Sequence, residues 1–203
     1  MSFCILTEKL PEDVIINGEA YRINTDFATW IRFCEAMSKI KDDPEEVAVE
    51  VINICMAEKR LPENIFVLTD ALFEFYKTGL SQGEADFDKK GKEPEEKPIE
   101  NKKAIYDFIY DAKYIYAAFL SQYGIDLYDE KIHWFKFCAL FRGLSEEEKI
   151  SKIMGYRSIK IDDVKDKKQK AFIRKMKSIY RLPDNRSEEE KNSDISNVLD
   201  RIM

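Results

Sequence analysis

The sequence predicts a mainly α-helical protein: a helical bundle in two halves, with a small β-hairpin near the N-terminus. Three observations lead there. Apolar residues recur at three- and four-residue spacing through most of the 203 residues, laying one apolar stripe along each helix. Glycine and proline number only 7 and 6, too few for an all-β fold with many tight turns. Asn17-Gly18 lies between apolar-rich segments, and a hairpin turn of this kind needs positive φ at both positions.

The hairpin is read over 14–23. It is marginal alone and must pack on the helices that follow. A first helix is read over 26–40, with Thr25 or Asn24 as N-cap and Phe27, Trp30, Ile31, Cys34 and Met37 on its apolar stripe. A second has Asp43 as cap, Pro44 in the first turn, and Glu45 and Glu46 at the positive end of the helix dipole. It runs through Val47, Val51, Ile54 and Cys55 to about Glu58. A third covers 63–78, with Phe66, Leu72, Phe73 and Tyr76 inward and Gly79 as the stop.

Residues 82–103 change character. They hold seven acidic and six basic side chains, two Pro and two Gly, and only Ala85, Phe87 and Ile99 are apolar. Such a stretch cannot bury enough to order itself, which predicts a mobile charged linker between 1–81 and 104–182.

Beyond it, Phe108, Ala112, Ile115, Phe119 and Tyr123 repeat at four, three, four and four, giving a helix over 104–123 ended by Gly124. A fifth helix, capped by Asp126 or Asp129, runs to Arg142 ahead of Gly143. Ser145 followed by Glu148 reads as a capping box for a short sixth helix ending near Gly155 or Tyr156. A seventh covers 166–181, with Phe172, Met176, Ile179 and Tyr180 inward and Leu182-Pro183 as the stop. Residues 183–203 read as a weakly ordered tail with one narrow stripe of Ile195, Val198, Leu199 and Ile202. Trp30, Phe108, Phe119 and Trp134 are the expected core. Trp30-Ile-Arg-Phe-Cys34 echoes Trp134-Phe-Lys-Phe-Cys138, but no longer alignment of the halves supports a repeat.

Net charge is -6 and the pI about 5.1, which argues against a surface that grips nucleic acid all round. The charge is uneven. Residues 1–81 carry 15 acidic and 8 basic side chains, whereas 165–181 carry 8 basic ones against Asp166 alone. The N-terminal residues have no basic region and too short an apolar run for a signal peptide, and no stretch of 18 apolar residues exists. A cytoplasmic protein with reduced thiols at Cys4, Cys34, Cys55 and Cys138 is expected.

Chemistry finds little footing in the sequence. His133 is the only histidine and nothing near it completes a triad. Metal binding needs three or four ligands, and the cysteines are scattered. Asp42-Asp43 and Asp162-Asp163 are explained as helix caps and solvated loops. No phosphate-binding, dinucleotide or zinc-protease motif occurs. The expectation is a protein without enzymatic activity, metal or cofactor.

What remains is surface. The seventh helix presents Lys167, Lys168, Lys170, Arg174, Lys175, Lys177 and Arg181, with Phe172, Met176 and Tyr180 read on its other side. Such a face is an ordinary solvated one whose lysines snorkel, a nucleic-acid footprint, or a dock for an acidic helix. It could also meet its own chain or a second copy. The candidate partner-binding residues are Lys168, Arg174, Lys175 and Arg181, joined by Ile195 and Leu199 from the tail.

Three stretches carry a resemblance. One is Ile23-Asn-Thr-Asp-Phe-Ala-Thr-Trp-Ile-Arg-Phe33. Another joins Tyr106-Asp-Phe, Asp111-Ala-Lys-Tyr-Ile-Tyr-Ala-Ala-Phe119 and Tyr123-Gly-Ile-Asp-Leu127. The last joins His133-Trp-Phe-Lys-Phe137, Phe141-Arg-Gly-Leu144 and Lys152-Ile-Met-Gly-Tyr-Arg-Ser158. Together they resemble the bacteriophage "gene product fifteen" family, found in tailed phages and prophages of Gram-positive hosts. The resemblance implies a tail assembly role in the host cytoplasm, with the tape-measure protein and the tail tube protein as partners and no catalytic residues. It also leaves room for a structural tail or head–tail completion protein kept in the virion.

Overall fold

A computed structural model of the chain describes residues 4–39, 44–81 and 104–183. It is mainly α-helical, as the sequence predicts. β1 (Asp13–Ile16) and β2 (Glu19–Arg22) pair antiparallel, with Val14 opposite Tyr21. Asn17 and Gly18 turn the chain with φ of 53° and 84°. This is the two-residue turn whose twist matches the flanking strands. Val14, Ile16 and Tyr21 are buried, so the ribbon does pack.

The helices are α1 (Phe27–Met37), α2 (Pro44–Cys55), α3 (Ile65–Ser81), α4 (Ala112–Tyr123), α5 (Trp134–Arg142), α6 (Lys149–Ser158) and α7 (Lys167–Ile179), with a 3-10 turn at Ile161–Asp163. The chain forms two compact units, Met1–Lys152 and Ile153–Met203. The linker read at 82–103 lies outside the described residues; those described before it and those at 104–152 fall in the first unit. Aromatic packing explains why. Phe27 of α1 stacks on Phe137 of α5 at 4.8 Å. Phe75 of α3 stacks on Phe135 at 4.6 Å, and Tyr76 on Trp134 at 5.3 Å. Trp30, Phe119 and Trp134 are fully buried and Phe108 nearly so, as expected of the core.

Several boundaries differ from the sequence reading, each through a specific hydrogen bond. Asp26 is the N-cap of α1, in place of Thr25 or Asn24. Its carboxylate accepts from the Thr29 N–H at 3.2 Å and the Thr29 hydroxyl at 2.6 Å. Asn24 serves the far end of α2 instead. Its side-chain amide donates to the carbonyls of Ile54 (3.1 Å) and Met56 (3.2 Å), and its backbone N–H to that of Cys55 (2.7 Å). That is why α2 stops at Cys55 and not near residue 58. Asp43, its expected cap, lies outside the described residues. On α1 the buried side chains are Phe27, Thr29, Trp30, Phe33 and Ala36, whereas Ile31, Cys34 and Met37 flank them half-buried.

Gly79 does not stop α3. It lies inside the helix, where a Cβ would come within 2.3 Å of Trp134 Nε1. The helix ends two residues later, and the Arg142 guanidinium donates to the carbonyls of Gly79 (3.0 Å) and Leu80 (2.8 Å). Leu68, Leu72 and Phe75 point inward; Phe66 and Phe73 do not.

α4 starts at Ala112, not 104. The Asp107 carboxylate accepts from the N–H groups of Ile109 and Tyr110, which sets a turn before the helix. The buried Asp111 carboxylate accepts from the Asp107 N–H at 3.0 Å. Ala112 is exposed, and Gly124 at φ 66° ends the helix as expected. α5 is capped by His133, not by Asp126 or Asp129, because Asp126 already accepts from the Tyr128 N–H and the Tyr116 hydroxyl. Before α6, Ser145 Oγ accepts from the Glu147 N–H, but the Ser145 N–H donates to Gln122. The capping box is therefore half built, with Gln122 in the place read for Glu148. The expected tail stripe of Ile195, Val198, Leu199 and Ile202 lies outside the described residues.

Candidate partner-binding surface

α7 carries three of the candidate residues, Lys168, Arg174 and Lys175, and belongs to the second unit. Asp166 caps it by accepting from the Gln169 N–H at 2.7 Å. Within this unit α6 and α7 are tied end to end. Arg157 Nε donates to the Tyr180 carbonyl at 2.6 Å, and Lys177 Nζ donates to the Arg157 carbonyl at 2.8 Å. Tyr156 meets Phe172 edge-on at 5.9 Å and stacks on Tyr180 at 6.3 Å.

Only Ile173 of α7 is buried. Phe172 and Ile179, read as inward, are 48% and 54% exposed, which corrects the sequence reading. Met176 and Tyr180 are half-buried. At about 100° per residue, Lys168, Phe172, Lys175 and Ile179 fall on one narrow exposed stripe, spaced four, three and four. Lys168 and Lys175 are thus brought together, with two exposed apolar side chains between and beside them. Arg174 lies on another side of the helix, and Arg181 lies past its end. Lys170 is turned toward Asp162 at 3.9 Å, and Lys177 is held by Arg157. Ile195 and Leu199 lie outside the described residues.

Six basic residues and no acidic one stand on α7 itself. A face of that charge with exposed apolar side chains is complementary to an anionic surface that also offers apolar groups. Phe172 was missed because Phe172 and Ile173 are adjacent and both apolar, so periodicity alone fits either as the inward one.

The first unit holds the other candidates for chemistry. His133 Nε2 lies 2.9 Å from the Pro11 carbonyl, an acceptor only, so Nε2 carries the hydrogen. Its Nδ1 accepts from the Phe135 N–H at 3.1 Å. Both nitrogens are thereby committed to structure, and desolvation pushes the imidazole below its ordinary pKa. Burial pushes the thiols of Cys55 and Cys138 up to about 12, so both stay protonated. An apolar cleft of about 430 Å³ runs past Ile31, Ala112, Ile115, Tyr116 and Tyr128, and the Tyr116 hydroxyl is spent on Asp126. Among the described residues no group of three or more His, Cys, Asp or Glu could hold a metal ion. Among them, too, no helix is long and apolar enough to cross a membrane.

Compared with known proteins, the chain matches a family model described as bacteriophage Gp15 protein over residues 6–182. No curated protein and no solved structure matches it.

Proposed function

The chain belongs to the bacteriophage Gp15 protein family, and from that premise we propose that it is a non-enzymatic tail assembly protein, a chaperone that holds the tape-measure protein in the host cytoplasm. One observation carries the reading: α7 keeps one side chain of thirteen buried and turns a stripe of Lys168, Phe172, Lys175 and Ile179 outward. A long helical partner with acidic and apolar residues at helical spacing fits such a stripe, as helix-on-helix recognition requires. Two of the four stripe side chains are charged, so the contact weakens as salt rises, which suits a factor that leaves once the tail tube protein has assembled around the tape measure.

The test is a pull-down with tape-measure fragments. It compares the full chain, a chain ended after Arg186, and the charge reversal K168E/R174E/K175E. The reading expects the reversal to lose binding and the full chain to lose it as salt rises. The truncation reports on Ile195 and Leu199. Equal binding by all three would mean that the surface is misassigned. Binding to DNA with the same salt dependence, and none to tape measure, would assign the face to nucleic acid.

A further inference from the structure

We infer that a second copy of this chain docks the outward stripe of its α7 on the outer face of α3. α3 belongs to the first unit and turns Leu68, Leu72 and Phe75 inward. Its opposite side leaves Phe66 and Phe73 56% and 38% exposed. Phe66, Asp70, Phe73 and Lys77 are spaced four, three and four, so they share one stripe, with Val67 and Glu74 along its edge. Lys77 is already drawn to Glu74 and lies over the Phe73 ring at 5.0 Å.

The two stripes match in spacing and oppose in charge. On α7 the order is Lys168, Phe172, Lys175, Ile179, where basic and apolar residues alternate. On α3 it is Phe66, Asp70, Phe73, Lys77, with Glu74 beside and drawn to Lys77, so Asp70 leaves this stripe net acidic. α2 and α3 together carry Glu45, Glu46, Glu50, Asp70 and Glu74 against Lys77 alone, whereas α7 carries six basic residues and no acidic one. Apolar rows of equal pitch interdigitate, and the flanking charges fix the register and exclude a like-charged face. Two α7 stripes, both basic, repel one another, whereas α7 and α3 attract. The contact is therefore between unlike surfaces, and it closes as a two-fold pair or continues into a chain of copies.

This contact uses the stripe assigned above to the tape measure, so the two occupants exclude one another. It is tested on the protein alone, and its failure leaves the tape-measure reading untouched. Sedimentation velocity of the full chain is recorded over a range of concentrations, between 0.01 M and 1 M salt, where the Debye length falls from about 30 Å to about 3 Å. The expected result is a mass above one chain at low salt that falls toward one chain as salt rises. K168E/K175E and D70K/E74K, all at exposed positions, should each raise the dissociation constant at least about tenfold. Mixing the two variants restores association, because each α7 then meets an α3 of opposite charge. A single chain at every concentration and salt overturns the inference. So does association of either variant as tight as that of the unsubstituted chain, or a mixture that fails to associate. Association that vanishes on nuclease treatment assigns the stripe to nucleic acid and overturns it as well.

Discussion

Gly79 shows how one residue sets a packing distance. Inside an ordinary helix, Gly→Ala stabilises by roughly 0.5–1 kcal/mol. Here the new methyl would meet Trp134 Nε1 at 2.3 Å and Cδ1 at 2.6 Å. The ring cannot retreat freely, since Nε1 donates to the Tyr76 carbonyl at 3.1 Å. Gly79→Ala should therefore lower stability by about 1–3 kcal/mol, the usual cost of overpacking, as read from the urea midpoint. A higher midpoint would contradict the approach of α3 to Trp134. His133 gives a second residue-scale prediction. Its folded pKa lies below the unfolded value of 6.5, chiefly through desolvation. The unfolded chain thus binds the extra proton first, and stability falls as pH drops below about 6.5 toward the folded pKa. Above that window the residue contributes no slope. His133→Asn keeps a capping oxygen but cannot titrate, so denaturation curves at about pH 7.5 and about pH 5.5 should differ less for the variant than for the unsubstituted chain. Equal differences would mean that His133 binds its proton as readily in the folded state as in the unfolded one.

Among the elements, α7 is where periodicity and structure part. A helix that buries one residue has almost no apolar stripe to read, and Phe172, Ile173, Met176, Ile179 and Tyr180 offer two overlapping ones. The tie from Arg157 to Tyr180 and from Lys177 to Arg157 selects the face with Ile173 inward. Neither bond has a signature in the sequence. Phe172→Ser should then change stability by no more than about 0.5 kcal/mol, whereas Ile173→Ala should cost about 2 kcal/mol or more. The reverse order, measured by denaturant unfolding, would put Phe172 in the core. The hairpin was legible because Asn17-Gly18 leaves the backbone one cheap way to turn. The N-caps were harder. Asp26, His133 and Asp166 all cap through a side-chain acceptor, yet the sequence reading places the first two caps at Thr25 or Asn24 and at Asp126 or Asp129. What chose between them is long-range. The Phe27 N–H donates to the Ile132 carbonyl and the Trp134 N–H to the Thr25 carbonyl, which ties the starts of α1 and α5 together.

At the scale of the whole molecule, composition pointed to a boundary in 82–103, because local hydrophobicity drops there. Local hydrophobicity does not record which aromatic meets which. Trp30 stacks on Phe75 and Phe75 on Phe135, so one aromatic core is built from both sides of that stretch. Placing a protease site within 82–103 and cutting it should leave both fragments in a single particle on size exclusion, parting only in denaturant. Fragments that separate in native buffer would mean that the two sides do not share a core. The family match spans both compact units, and the basic stripe on α7 is the proposed partner surface. In the proposed function this surface holds the tape measure during assembly and then lets it go. This function is tested most directly by one quantitative measurement, the ratio of this protein to tape-measure protein in affinity-purified assembly intermediates and in finished virions from the same induced culture. The two are expected to co-purify from intermediates, and this protein to be absent from virions. A fixed ratio retained in finished particles would contradict it and make the protein a structural part of the tail.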